Sequence, residues 1–199
     1  MPHRSLVKIG GSLFSTGRLR GIISEITRRS SLTWPVFTVG GGTVADQVAT
    51  WELIHSLDEE QSHWLALEAI GVNEQLLLTL FPQWRLVRSL SQLEAAERDG
   101  KTPLICTKCF FKYCEREFGS RVSHTWKVTS DTIAAWFAEV IEAEELMLVK
   151  SVDWVSGLNW EEAHARQLVD AEFARIVSPD LPIRWLNGRR VPLEFVSCR

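Results

Sequence analysis

Leu6-Val7-Lys8-Ile9-Gly10-Gly11-Ser12 places a lysine inside an apolar run that two glycines bring to a halt. The run has the length and composition of a short buried strand. A buried ammonium group is costly unless it is paired or faces a polar ligand. Glycines let backbone N–H groups approach an anion closely. The stretch therefore reads as a strand that ends in an anion-binding turn, with Lys8 as the cation beside it.

A second stretch repeats the device. Trp34-Pro35-Val36-Phe37-Thr38-Val39 reads as a strand, ended by Gly40-Gly41-Gly42, and a helical pattern follows from Thr43 to about Leu57. Its apolar positions are Val44, Val48, Trp51 and Leu53 or Ile54. Two glycine turns, each after a strand and before a helix, offer two sets of N–H donors and helix N-termini for phosphates. Gly40-x-Gly42-x-x-Ala45 also matches the dinucleotide pattern G-x-G-x-x-A. Nicotinamide binding would need a second strand ending in an acid about 20 residues on. Residues 58 to 62 are instead Asp-Glu-Glu-Gln-Ser within a helical pattern, and an oxidoreductase rests on the glycines alone. A P-loop, G-x-x-x-x-G-K-[ST], is absent.

The alternation continues outward. A polar helix is expected over 18 to 30, a helix from about Glu59 to Phe81, and a strand from Trp84 to Val87. A helix from Leu90 to Arg98 and a strand from Pro103 to Cys106 come next, whereas residues 107 to 126 show no clear pattern. Thr129-Ser130 precedes a helix with Ile133, Trp136, Phe137, Val140 and Ile141 on one face. Glu145 to Val149 reads as a buried strand, Asn159 and Glu162 as a capping box, and Pro182 to Leu186 as a last strand turning at Asn187-Gly188. This order predicts a single domain over residues 1 to 199, a three-layer α/β/α sandwich with a mostly parallel sheet. Ligands in such sheets sit at the carboxyl ends of strands, where both glycine turns fall.

Composition narrows the function classes. With 199 residues, 45% hydrophobic content and a net charge of -3, the chain can build a full core and is not a general nucleic-acid binder. No apolar run approaches the roughly 18 residues that span a membrane, and none resembles a signal peptide, so a cytoplasmic location is expected. Cys106-x-x-Cys109 with Cys114 and His124 admits a zinc site. The spacing after Cys109 fits no common zinc module, however, and Phe110, Phe111 and Tyr113 surround it, so buried free thiols and no protein-held metal are expected.

Asp131 stands in the first turn of the helix that follows Ser130. A lone acid there complements the helix dipole. It could also reach a lysine on a neighbouring strand end and hold it in position. Phosphoryl transfer asks for this kind of fixed cation around the moving group rather than for covalent chemistry.

Together these pieces resemble the amino acid kinase superfamily, which includes acetylglutamate, uridylate, isopentenyl phosphate and carbamate kinases. "VKIGGS" is similar to its opening strand and first glycine turn, and "VGGGTVADQVA" to its acceptor-side turn. "TSDTIAAWFA" is similar to its aspartate-bearing helix start, "LMLVKSVDWV" stands at its T-D-V-D-G-V strand end, and "IRWLNG" resembles its last core strand. The resemblance runs from about residue 5 to 195. "SHTWKVTSD" and "QSHWLALEAIGVNEQLL" further resemble the small kinases that phosphorylate an aminomethylfuran-methyl phosphate in methanofuran biosynthesis.

The resemblance implies a kinase that moves the γ-phosphoryl group of ATP to a small, phosphate-bearing acceptor. Mg2+ would be held through ATP oxygens. Lys8 would stabilise the transferring group and Asp131 would orient the lysine. Gly10, Gly11 and Ser12, with Lys150, Ser151 and Asp153, would contact ATP phosphates. Gly40, Gly41 and Gly42 would hold the acceptor, with His63, His124 and Trp126 as further acceptor contacts. A homo-oligomer, dimer or larger, without nucleic-acid or membrane partners, is implied as well. The chain departs from the superfamily at Lys150-Ser151-Val152-Asp153-Trp154-Val155, where Trp154 replaces a glycine and the tyrosine and Asp-Pro that often follow are missing. That departure keeps a nucleotide-binding subunit without turnover as an alternative, alongside a uridylate-kinase-like enzyme.

Overall fold

A computed structural model describes residues 3–29 and 33–198 of the chain. The lysine-bearing run forms strand β1 (Arg4–Ile9), and all of its residues are buried. Successive strand side chains point to opposite faces, so burial at every position requires cover on both sides of the sheet. β1 has that position because β2 (Trp34–Val39) pairs with it in parallel on one edge and β5 (Glu145–Lys150) on the other.

Further strands are β3 (Arg85–Val87), β4 (Pro103–Ile105), β6 (Ile183–Asn187) and β7 (Phe195–Ser197). Among the described residues the sheet has seven strands in the order β3-β4-β2-β1-β5-β6-β7. Every pairing is parallel except β6 with β7. The helices are α1 (Leu19–Arg29), α2 (Thr43–His55), α3 (Glu59–Leu80), α4 (Leu90–Arg98), α5 (Thr107–Phe118), α6 (Ser130–Val140), α7 (Trp160–Ala165) and α8 (Phe173–Ile176). The architecture is the expected three-layer α/β sandwich. α1 begins and ends within a residue of the expected span, and Ser30, its expected last residue, lies outside the described residues. No helix among the described residues is long and apolar enough to cross a membrane.

Three features differ from the sequence reading. Residues 107–118, left without a pattern, form α5, which buries Thr107, Phe110, Phe111 and Cys114. That spacing of i, i+3, i+4 and i+7 is an amphipathic face, obscured by the cysteine spacing. In α2, only Val48 of the expected apolar face is buried, while Leu53 and Ile54 are 85% and 66% exposed. The reason is that α2 packs against α3 rather than onto the sheet. β7 is a three-residue antiparallel edge strand, too short for a legible period.

Candidate active site

β1, β2 and β5 end side by side, so the segments that follow them share one crevice at the carboxyl edge of the sheet. After β1 the chain turns through Gly10, whose N–H donates to Val149 O at 2.7 Å. After β2, Gly40 N–H donates to Ile9 O at 2.9 Å. The two glycine turns then touch. A Cβ on Gly11 would lie 2.0 Å from Gly42 N, and one on Gly42 would lie 2.5 Å from Gly11 O. Gly42 also has φ of 54°, a conformation that disfavours a side chain.

Lys8 rises from the middle of this arrangement and is 3% exposed. Its Nζ donates to Asp131 Oδ1 at 2.7 Å. Asp131 stands in the first turn of α6, which packs on β1 and β5. Lys150, the last residue of β5, donates to Asp131 Oδ2 at 2.5 Å and to the Leu168 carbonyl at 2.7 Å. One carboxylate thus spans two ammonium groups, each on its own oxygen. Burial alone would raise the Asp131 pKa, but the fields of Lys150 and Lys8 outweigh it and hold the group down at about 2. Burial lowers the pKa of Lys150, against the attraction of Asp131. Two ammonium groups held in place by one carboxylate beside two glycine turns suit a polyanion such as a triphosphate.

A cavity of about 390 Å³ opens beside this array, lined by Lys8, Gly41, Gly42, His63, Trp126 and Asp131 among others. Leu67, Ile70, Val128 and Ile133 supply apolar wall. His63 is 4% exposed, and its Nε2 has no hydrogen-bond partner among the described residues. Burial first, and the neighbouring His124 second, lower its pKa to about 4, so the ring is neutral at physiological pH. Trp126 donates its indole N–H to Glu52 of α2. His124 stands behind the cavity rather than in its lining: it stacks on His63 with ring centres 4.9 Å apart, and its Nε2 lies 2.8 Å from Glu115 Oε1.

On the other side of Lys8, Ser12 Oγ and Ser151 Oγ meet at 3.0 Å, which joins the first glycine turn to the end of β5. Asp153 is exposed and engaged by Asn187 and Arg190. Those two bonds pull its pKa down. Trp154 packs between Trp160 and Trp185, each with its ring centre 5.3 Å away. Cys106, Cys109, Cys114 and Cys198 are free thiols. Burial pushes Cys106, Cys114 and Cys198 up to about 12. Among the described residues no group of three or more His, Cys, Asp and Glu side chains is arranged to hold a metal ion.

Three supporting residues escaped the sequence reading. Asn73 of α3 donates its side-chain amide to Gly40 O at 2.7 Å and to Gly41 O at 2.8 Å, and so fixes the second glycine turn. Glu74 beside it accepts from Thr107 N at 2.7 Å and ties α3 to the start of α5, with its pKa raised by burial. Asp170, in the loop before α8, binds the first turn of α6. The first two were detectable only as polar residues on the inner face of α3, beside Leu67, Ile70 and Leu77, and Asp170 left no signal.

The model of the amino acid kinase family matches residues 3–169. No curated protein shows significant sequence similarity to the chain. Among solved structures, uridylate kinase from Archaeoglobus fulgidus superposes with a TM-score of 0.68 at 16% identity, over 92% of this chain and 89% of that one. UMP kinase from Bacillus anthracis gives 0.64 at 16% identity, over 96% and 89%. Aspartate kinase from Synechocystis gives 0.65 at 13% identity, over 98% of this chain but 40% of its own. At these identities the likeness is one of fold.

Proposed function

The chain belongs to the amino acid kinase family, and from that premise we propose that it transfers the γ-phosphoryl group of Mg-ATP to a small acceptor. The observation that carries the proposal is the buried array of Lys8, Asp131 and Lys150 at adjoining strand ends, between two touching glycine turns. ATP phosphates lie along Gly10, Gly11, Ser12 and Ser151, and the acceptor occupies the cavity beside Gly41, Gly42, His63 and Trp126. As the bond from the γ-phosphorus to the leaving oxygen breaks, charge builds on oxygens next to Lys8 and Lys150. Asp131 keeps both ammonium groups aimed there, so little reorganisation is needed at the moment of transfer. Mg2+ is carried by phosphate oxygens.

For the acceptor, the likeness of "SHTWKVTSD" to the aminomethylfuran-methyl phosphate kinases supports a phosphate-bearing furan of one-carbon cofactor biosynthesis. Uridylate is the competing acceptor. We also propose that the protein self-associates in the cytoplasm through α2 and α3, where Trp51, Leu53, Ile54, Val72 and Leu76 leave apolar surface exposed. A second reading, nucleotide binding without turnover, is favoured by the engaged Asp153 and by Trp154 packed at the strand end. Incubation with labelled Mg-ATP and either acceptor decides among them. Labelled diphosphate product from the furan phosphate is expected. Labelled UDP would move the acceptor to uridylate. Binding of a non-hydrolysable ATP analogue with no transfer to any acceptor would establish the second reading.

A further inference from the structure

Asp170 lies in the loop between α7 and α8, one residue beyond the stretch that matches the family model. Its carboxylate accepts from Thr129 N at 3.0 Å, Thr129 Oγ1 at 2.7 Å, Thr132 N at 3.0 Å and the Thr132 hydroxyl. These donors surround the start of α6. A helix start has N–H groups with no partner inside the helix, and a side chain at the N-cap position usually serves one of them. Here Thr129 holds that position, yet its side chain makes no capping bond to its own helix. It turns to Asp170 instead, and a carboxylate from a distant loop does the capping.

The same short loop reaches the other end of the array. Leu168, two residues before Asp170, accepts from Lys150 Nζ, and Glu172 N donates to Lys127 O at 3.3 Å. The loop is therefore bonded to the lysine of β5, to the first turn of α6 and to the segment leading into α6. Asp131 sits inside that first turn, between Thr129 and Thr132.

We propose that Asp170 is a positioning residue for phosphoryl transfer: it anchors the first turn of α6 so that the Asp131 carboxylate stays between Lys8 and Lys150. The proposal rests on the kinase reading. Its electrostatics run against any simpler role. Asp170 is a second, half-buried acid near Asp131, and desolvation followed by the Asp131 charge raises its pKa against the hydrogen bonds that lower it. A second negative charge near Asp131 disfavours ionisation of both acids. What the carboxylate supplies is four accepted hydrogen bonds on one turn.

Asp170→Asn and Thr132→Val test this. Each removes part of the anchor without creating a cavity. Because a small misplacement of a catalytic group costs about a hundredfold, kcat in Asp170→Asn is expected to fall by roughly 30- to 100-fold while KM for ATP changes by less than about threefold. Thr132→Val should lose about tenfold in kcat, and Thr132→Ser, which restores the hydroxyl donor, should recover most of it. Unchanged kcat in Asp170→Asn and Thr132→Val, or equal losses in Thr132→Val and Thr132→Ser, would overturn the proposal.

A readout that needs no turnover separates this proposal from the kinase reading. The Asp131 carboxyl is titrated by carbon-13 NMR in wild type and in Asp170→Asn. Its titratable surroundings are Lys8, Lys150 and Asp170. The Asp170 pKa is raised, so Asp170 is already protonated where Asp131 titrates, and Asp170→Asn changes no charge there. Loosening the turn weakens the contacts with both lysines and raises the Asp131 pKa. A rise from about 2 toward the ordinary 3.8 is the expected result. A value unchanged or lower would overturn the positioning role whether or not the wild type transfers a phosphoryl group.

Discussion

Gly11 and Gly42 meet back to back, with Gly11 Cα only 3.0 Å from where a Cβ of Gly42 would stand. The contact holds the β1 and β2 turns at one spacing, and neither position has room for a methyl group.

Gly11→Ala is therefore expected to destabilise the protein by about 1–3 kcal/mol, the usual cost of overpacking, and to disturb both turns at once. Gly21→Ala is the control. A Cβ there meets nothing within 4 Å on an exposed face of α1, so the change should stabilise by up to about 1 kcal/mol through helix propensity. Urea denaturation of the two variants checks this, and equal midpoints would refute the contact.

If the lysine acts on charge that develops in transfer, as proposed, Lys8→Met should cut kcat by on the order of a hundredfold or more with a much smaller change in KM for ATP. Asp131→Asn keeps the shape and removes the charge that aims both ammonium groups, so it should lower kcat as well. The double variant should be little worse than the worse single one, because the residues act as a unit. Losses that multiply would show that they work separately.

The acid limb of stability should carry the signature of Asp131. Its folded-state pKa of about 2 lies below the ordinary 3.8, so its stabilisation is complete above 3.8 and is lost as pH falls toward 2. The effect is on the order of 2 kcal/mol. Chemical denaturation between pH 5 and 2 should show a steeper fall in the wild type than in Asp131→Asn, which starts from a lower baseline.

His63 should govern a different window. Its folded-state pKa of about 4 lies below the ordinary 6.5, so the unfolded chain binds a proton that the folded chain refuses. Stability is full above pH 6.5 and declines as pH falls toward 4. His63→Phe keeps the ring packed against Phe111 and Trp64 but removes the titration. Its midpoint should be flatter between pH 6.5 and 4, and an unaltered slope would assign the decline elsewhere.

Self-association can be read by sedimentation. Ile54→Glu adds a charge to an exposed apolar position and should shift the protein toward monomer. An unchanged sedimentation coefficient would place any interface elsewhere.

The strands that meet at the crevice, both glycine turns and the candidacy of Lys8 are legible in the order of the amino acids. These are local matters: an ammonium in an apolar run and paired glycines announce themselves within seven residues. The sequence also marked Asp131, through its place in a helix start. The tertiary structure alone decided that Lys150 shares Asp131 with Lys8, because that contact depends on how far α6 reaches over β5. It decided that α2 leaves its apolar residues outside, because helical periodicity states which side chains share a face and not what covers that face. Asp170 was invisible for the deepest reason. A carboxylate that caps a helix from a loop 38 and 41 residues away in sequence has no local partner to betray it. Only the closing of the chain brings the donor turn and the acceptor loop together.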